Sequence, residues 1–233
     1  MTESTLPFDI QPIPLPADTP TDVRVWQVQI DLSAPLDSAA HAVMNASERA
    51  RAARFLRHAD VARFGVMRCV LRHVLAAETH RDAASLMLEA DDRGRPFLAH
   101  PDAPDFNVSH SGAFGLIAIS KKRRVGVDIE EARATFDWRE LAPAVLADVD
   151  RREIEAMPDE HARSATFFDC WTAKEAVLKA HGVGIGGAAI TMTSFPVLPR
   201  DGVRYTLTRE GGAFDAIALD APSGYAAALA WSY

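Results

Sequence analysis

Two stretches, VGVDIE at residues 125–130 and CWTAKEAVLK at residues 170–179, decide how this chain reads. In the first, Val125, Val127 and Ile129 alternate with Gly126, Asp128 and Glu130, the period-two pattern of a β-strand. Side chains two apart on a strand share a face, so Asp128 and Glu130 point the same way. In the second, Trp171, Glu175 and Lys179 fall at i, i+4 and i+8 and share one stripe of an α-helix. Carboxylate oxygens from a strand and a neighbouring helix are the donors that a hard divalent cation such as Mg2+ takes. Each piece alone has a plainer account. Asp128 and Glu130 also fit the wet side of an edge strand, and Glu175 with Lys179 is an ordinary i,i+4 pair worth about 0.2–0.5 kcal/mol. The flanks favour a cleft. Phe167, Phe168, Trp171, Val177 and Leu178 populate most faces of the helix, and an unpartnered charge buried among them is costly.

Two upstream motifs stand in register with these. An N-x-S-H-S turn is present as Asn107, Ser109, His110 and Ser111, and a G-K/R-P step as Gly94, Arg95 and Pro96. Together with the G-x-D-x-E strand (Gly126, Asp128, Glu130) and the W-x-x-K-E-x-x-x-K helix (Trp171, Lys174, Glu175, Lys179), they resemble the 4′-phosphopantetheinyl transferase superfamily, in its monomeric surfactin-synthetase-activating type. The match in order and spacing runs over residues 47–186. One position departs from the pattern: Glu48 stands where the family is often basic.

The resemblance implies an α+β fold of two similar α+β halves related by a pseudo-twofold axis, with the active site at their interface. The halves would be residues 23–122 and 123–233, after a Pro-rich extended segment over residues 1–22. It implies transfer of phosphopantetheine from coenzyme A, the co-substrate, to a serine of an apo acyl, peptidyl or aryl carrier protein, releasing 3′,5′-ADP. Asp128, Glu130 and Glu175 would hold Mg2+, with Mn2+ as the alternative cation. The physics agrees, since like unit charges 4 Å apart repel by about 4 kcal/mol at an effective dielectric near 20. Three carboxylates beside a diphosphate therefore need a cation. Glu175 would take the serine proton, with Glu130 or a water on the metal as alternatives. Lys179, and with it Lys174, would neutralise the transferred phosphoryl group or protonate the leaving 3′,5′-ADP. Arg51 and Arg63 would bind the 3′-phosphate, Ser109 and His110 the phosphates, and Arg95-Pro96 the nucleotide.

The remaining features set bounds. A chain of 233 residues is long enough for a full core, and its net charge of −7 argues against nucleic acid as a general partner. No apolar run has the length of a signal peptide core or a membrane span, which predicts a cytoplasmic protein. Cys69 and Cys170 lack metal-ligand spacing and read as reduced thiols. Helices are expected over 47–57 and 60–77, strands near 203–208, 213–219 and 225–231, and a helix C-terminus followed by a loop at the glycine-rich residues 182–187. No internal repeat is visible. Two rival classes are a catalytically silent coenzyme A or carrier-binding protein and a small-molecule kinase. Every charged motif position is intact, which opposes the first, and no phosphate-binding loop is present, which opposes the second.

Overall fold

The computed structural model describes residues 7–33, 35, 39–133, 136–182, 191–198, 205–209 and 212–233. The first part of the chain runs β1 (Asp9–Pro12), β2 (Val23–Gln29), α1 (Ala46–Ala52), α2 (His58–Thr79), β3 (Leu88–Ala90), β4 (Pro96–Leu98), β5 (Asp105–Ser111) and β6 (Phe114–Ser120). Strands β1, β2, β6 and β5 form an antiparallel sheet in that order, and β3 pairs with β4 as a separate hairpin. The second part runs β7 (Val125–Glu131), α3 (Ala142–Val145), α4 (Asp148–Glu155), α5 (Glu160–His181), β8 (Tyr205–Arg209), β9 (Gly212–Ala218) and β10 (Tyr225–Ser232). Its sheet has the order β7-β10-β9-β8, again antiparallel.

The fold is α+β, and one connection pattern is used twice. In each sheet a leading strand (β2 or β7) pairs with the last strand (β6 or β10), which pairs with the strand before it (β5 or β9). A 22-residue helix intervenes each time, α2 or α5. Each helix buries apolar residues on one face of its own sheet. The opposite faces meet in a shared core, where Val23, Val25 and Leu116 pack with Val127, Ile129 and Trp231. Strand β7 is therefore covered on both sides, and Val125, Val127 and Ile129 are fully buried.

Gly126 is what lets β7 approach α5. A Cβ there would run into the Ala176 carbonyl and the Ala180 nitrogen, so any larger residue would push the acidic strand off the helix. Helix α5 starts at Asp159, whose carboxylate accepts from the Ala162 amide, and ends at Gly182, as the sequence predicts for its first glycine. The rest of the glycine-rich stretch, 183–187, lies outside the described residues.

One expectation needs correction. The helix expected over 47–57 stops at Ala52, and the chain turns so that Phe55 packs on Phe64, ring centroids 5.6 Å apart. The Pro-rich lead-in contributes a strand. Asp9–Pro12 joins the first sheet as its edge strand, where a terminal proline costs no interior hydrogen bond, and Ile13 and Leu15 pack on the shared core.

Candidate functional site

The two halves are stitched together by side chains rather than by a backbone ladder. Every second residue of β5 reaches across to β7. Asp105 accepts from the Val125 amide (2.7 Å), and the Asn107 side-chain oxygen accepts from the Val127 amide (2.9 Å). Ser109 donates to Asp128 Oδ1 (2.7 Å), and Ser111 donates to Glu130 Oε2 (3.0 Å) while accepting from the Glu131 amide (3.1 Å). The period of two places all four on one side of β5 and leaves His110 on the other. Asn107 and the serines of the turn motif thus orient the acids of the strand motif.

At the centre of this seam, Lys179 of α5 donates to Asp128 Oδ1 (2.6 Å) and to Ser109 Oγ (3.1 Å). Its ammonium turns to the strand. Asp128 is buried, and its second oxygen, Oδ2, has no protein partner. A buried carboxylate oxygen without a donor is costly unless a cation meets it. Glu130 is pushed up to about 7, by burial first and by Asp128 next, against the pull of Ser111 and Lys179. Glu175 is also raised, chiefly by burial, with Asp128 adding and Lys179 and a hydrogen bond from Trp171 opposing. The three acids therefore sense one another. They are not a finished cage: among the described residues no three His, Cys, Asp or Glu side chains are gathered closely enough to hold a metal ion. Lys179 supplies the neutralising charge to Asp128. Trp171, one helical turn before Glu175, hydrogen-bonds it and stacks on Phe168 at 5.8 Å.

On the His110 side of β5 lies a cavity of about 480 Å3. Arg51, Arg68, Pro96, Ser109 and His110 are in its wall together with Glu48 and Glu89, so Ser109 touches both the cavity and the acids. Arg51 and Arg68 sit over the Phe64 ring at 5.2 and 5.5 Å. Crowding by protein atoms, then the charges of Arg63 and Lys179, hold the His110 ring below the ordinary histidine range. Arg68 was not singled out from the sequence, though a signal exists. Phe64, Met67, Arg68 and Leu71 follow the i, i+3, i+4, i+7 stripe, and all four line the cavity.

Three residues expected at the site lie elsewhere or are engaged. Lys174 is fully buried on another face of α5, where it donates to Asp150 (2.5 Å) and to the carbonyls of Val145 and Met192 (both 2.8 Å). It is structural. The Arg95 guanidinium binds Asp105 and three backbone carbonyls, so of the Arg95-Pro96 step only Pro96 reaches the cavity. Arg63 donates to the Gly112 carbonyl (2.8 Å) and pairs with Asp60, beside His110 but outside the cavity wall. Glu48, the departure from the motif, accepts from the Asn45 amide and takes three hydrogen bonds from buried Arg72.

Acids from a strand and a helix, a lysine between them and an arginine–histidine cavity alongside make a cleft equipped for phosphate chemistry, at the junction of two α+β halves. The family model described as the 4′-phosphopantetheinyl transferase superfamily matches residues 124–230, and that of the 4′-phosphopantetheinyl transferase N-terminal region matches residues 34–122. The 4′-phosphopantetheinyl transferase HetI of Nostoc sp. is 32% identical over 167 residues, covering 70% of this chain and 70% of its own. A phosphopantetheinyl transferase of Thraustochytrium sp. is 30% identical over 216 residues, covering 80% of this chain and 73% of its own. The chain belongs to the 4′-phosphopantetheinyl transferase superfamily. Among solved structures, the holo-[acyl-carrier-protein] synthase of Thermotoga maritima aligns with a TM-score of 0.31 and 18% identity over 46% of this chain and 61% of that one, a partial likeness only.

Proposed function

We propose that the protein transfers the 4′-phosphopantetheine of coenzyme A to a serine hydroxyl of an apo carrier protein and releases 3′,5′-ADP. The observation that carries this reading is Ser109. One residue lines the cavity that holds Arg51 and Arg68 and also bonds Asp128 and Lys179, so phosphates bound in the cavity would end at the acids. Arg51, Arg68 and His110 would receive the nucleotide phosphates, and Arg63 of α2 would hold the turn after His110 through the Gly112 carbonyl. We read residues 23–122 as the nucleotide-binding half and residues 123–233 as the catalytic half.

Mg2+ fits the donors present, with Asp128 through its unpartnered Oδ2, Glu130 and Glu175 as the groups that would hold it. Bound there, such an ion supplies the positive charge that three acids and a diphosphate require. The chain's own residues do the rest. Glu175, made more basic by burial and oriented by Trp171, accepts the serine proton; Glu130 is the alternative base. The serine oxygen forms its bond to phosphorus as the diphosphate P–O bond breaks. Lys179 offsets the charge that accumulates on the phosphoryl oxygens and the leaving group. We further read the protein as a cytoplasmic monomer. Both halves of the cleft come from one chain, both cysteines are buried, and among the described residues no helix is long and apolar enough to cross a membrane.

The test is to incubate the protein with coenzyme A, Mg2+ and a panel of apo carrier proteins from fatty-acid, polyketide and nonribosomal-peptide systems, and to weigh each carrier. A phosphopantetheinyl mass gain that depends on Glu175 supports the reading. No gain on any carrier, despite coenzyme A binding, would leave a silent binding protein instead.

A further inference from the structure

Residues 91–95 form a turn with two working faces. Asp91 builds it: its Oδ1 accepts from the Arg93 amide (3.0 Å) and the Arg95 amide (2.8 Å), and its own amide donates to the Arg95 carbonyl (2.9 Å). Gly94 closes it at φ +81°, a left-handed conformation suited to glycine. On the outer face, Gly94 and the adjoining Ala90 and Pro96 line the cavity that holds Arg51, Arg68 and His110.

The inner face grips the C-terminus of α5. Arg95 donates through Nη1 to the Lys179 carbonyl, and through Nη2 to Asp105 (2.8 Å), the Phe106 carbonyl (3.1 Å) and the Val125 carbonyl (2.9 Å). Arg93 reaches the same helix end and donates to the Gly182 carbonyl (2.9 Å). The last carbonyls of a helix lack intrahelical partners and carry the negative end of its dipole, which guanidinium groups satisfy. Arg95 thus touches β5, β7 and α5 at once, and its contact on α5 is the backbone of Lys179 itself. Its planar fork can serve several acceptors together, which an ammonium cannot. A phosphate could take this guanidinium only by breaking the joint.

We infer that Arg95, assisted by Arg93, is a positioning residue that couples occupancy of the cavity to the placement of Lys179. This rests on the reading of the cavity as the nucleotide site. A nucleotide pressing on Gly94 and Pro96 restrains the turn, and the turn restrains the helix end that carries the Lys179 ammonium towards Asp128 and Ser109. The family motif step is therefore two-sided in this chain: its glycine and proline face the ligand, and its arginine faces the catalytic helix.

The experiment separates affinity from turnover. In Arg95→Met, binding of 3′,5′-ADP to the protein stays within about threefold of the parent, while turnover on a carrier at saturating coenzyme A falls by about tenfold or more. Arg95→Lys, which restores charge but not the fork, falls between. A collapse of nucleotide affinity with turnover preserved would make Arg95 a direct ligand and overturn the inference. Hydrogen exchange supplies the second readout. Saturating 3′,5′-ADP slows exchange in the last turn of α5 in the parent and does so much less in Arg95→Met, even though the nucleotide is bound. Equal slowing in both overturns the inference. If Arg95→Met does not fold, Arg93→Met replaces it: slowing cut by about half supports the coupling, and undiminished slowing refutes it. A parent that binds 3′,5′-ADP with no change at the helix end defeats this inference alone. A parent that does not bind it defeats the nucleotide site as well.

Discussion

The two halves contain the same ionic joint in different chemistry. In the first, Glu48 near the start of α1 accepts from the Asn45 amide and pairs with Arg72 of α2, which also donates to the carbonyls of Ala83 and Leu86. In the second, Asp150 near the start of α4 accepts from the Ala147 amide and pairs with Lys174 of α5, which also donates to two carbonyls. The partners are 24 residues apart in both. Each joint locks a short helix to a long one and leaves another stripe of the long helix for function. On α2 that stripe presents Arg68 to the cavity, and on α5 it presents Glu175 and Lys179 to the acids. Structure is repeated and function is not. On the proposed reading the first half binds, and the second half reacts.

The strongest way to break this contrast is to strike the reacting half. Glu175→Gln is expected to lower turnover by about 10^2–10^4-fold with nucleotide affinity nearly unchanged, measured by carrier mass gain and calorimetry. Turnover within a few fold of the parent would move the base to Glu130 or elsewhere. Next come the joints. Asp150→Ala and Glu48→Ala should each destabilise the protein by about 3–5 kcal/mol in urea unfolding, because each strands a buried cation. Lys174→Met leaves the Asp150 carboxylate with the amides of Ala147, Val197 and Leu198 as donors, so it should cost less than Asp150→Ala and keep turnover per folded molecule within about threefold. A hundredfold loss there would return Lys174 to the chemistry.

Glu130 tests the reacting half from the side of stability. Burial and the neighbouring Asp128 push its carboxyl up to about 7 in the folded protein, from an ordinary 4.5. Below 4.5 both states are protonated and the group is neutral to stability. Between 4.5 and about 7 the unfolded chain ionises first, so stability falls as pH rises, and above 7 the full penalty is present. Glu130→Gln should therefore match the parent at pH 4 and exceed it at pH 8 by about 2 kcal/mol, after discounting the water that reaches this half-buried group. Added Mg2+ should narrow the gap at pH 8 by stabilising the parent. Melting curves that stay parallel across this range would remove Glu130 from the acid cluster.

The contrast also marks what the sequence could reveal. Strand β7 was legible because its apolar alternation is unbroken, helices α2 and α5 because their apolar content runs over many turns, and the acids because strand alternation fixes their face. Lys174 was misassigned although helix geometry argued against it. It precedes Glu175 by one residue, about 100° around the helix, away from the stripe of Trp171, Glu175 and Lys179. The repeated joint was hidden because its signal is one acid and one base in register, written Glu with Arg once and Asp with Lys once. The role of Arg95 was hidden for another reason: its acceptors are mostly backbone carbonyls, which carry no residue identity.

The smallest expected effect lies in the binding half and sets two arginines of one helix against each other. Arg68 lines the cavity over Phe64, whereas Arg72, one turn later, is buried in the joint with Glu48. Arg68→Ala should weaken coenzyme A by about tenfold, near 1.4 kcal/mol, with turnover at saturation unchanged. The loss should shrink against coenzyme A lacking its 3′-phosphate if Arg68 serves that group, and persist if it serves the diphosphate. Arg68 is also 3.6 Å from Glu48, so part of any loss could come from a disturbed joint. Arg68→Lys separates the two, since it keeps the charge in the cavity wall but loses the guanidinium face on Phe64. Affinity recovered by lysine assigns the effect to phosphate charge. Affinity still lost, with unchanged melting, assigns it to the stacked guanidinium, and a fall in melting temperature with both substitutions would place Arg68 with Arg72 on the structural side of the helix.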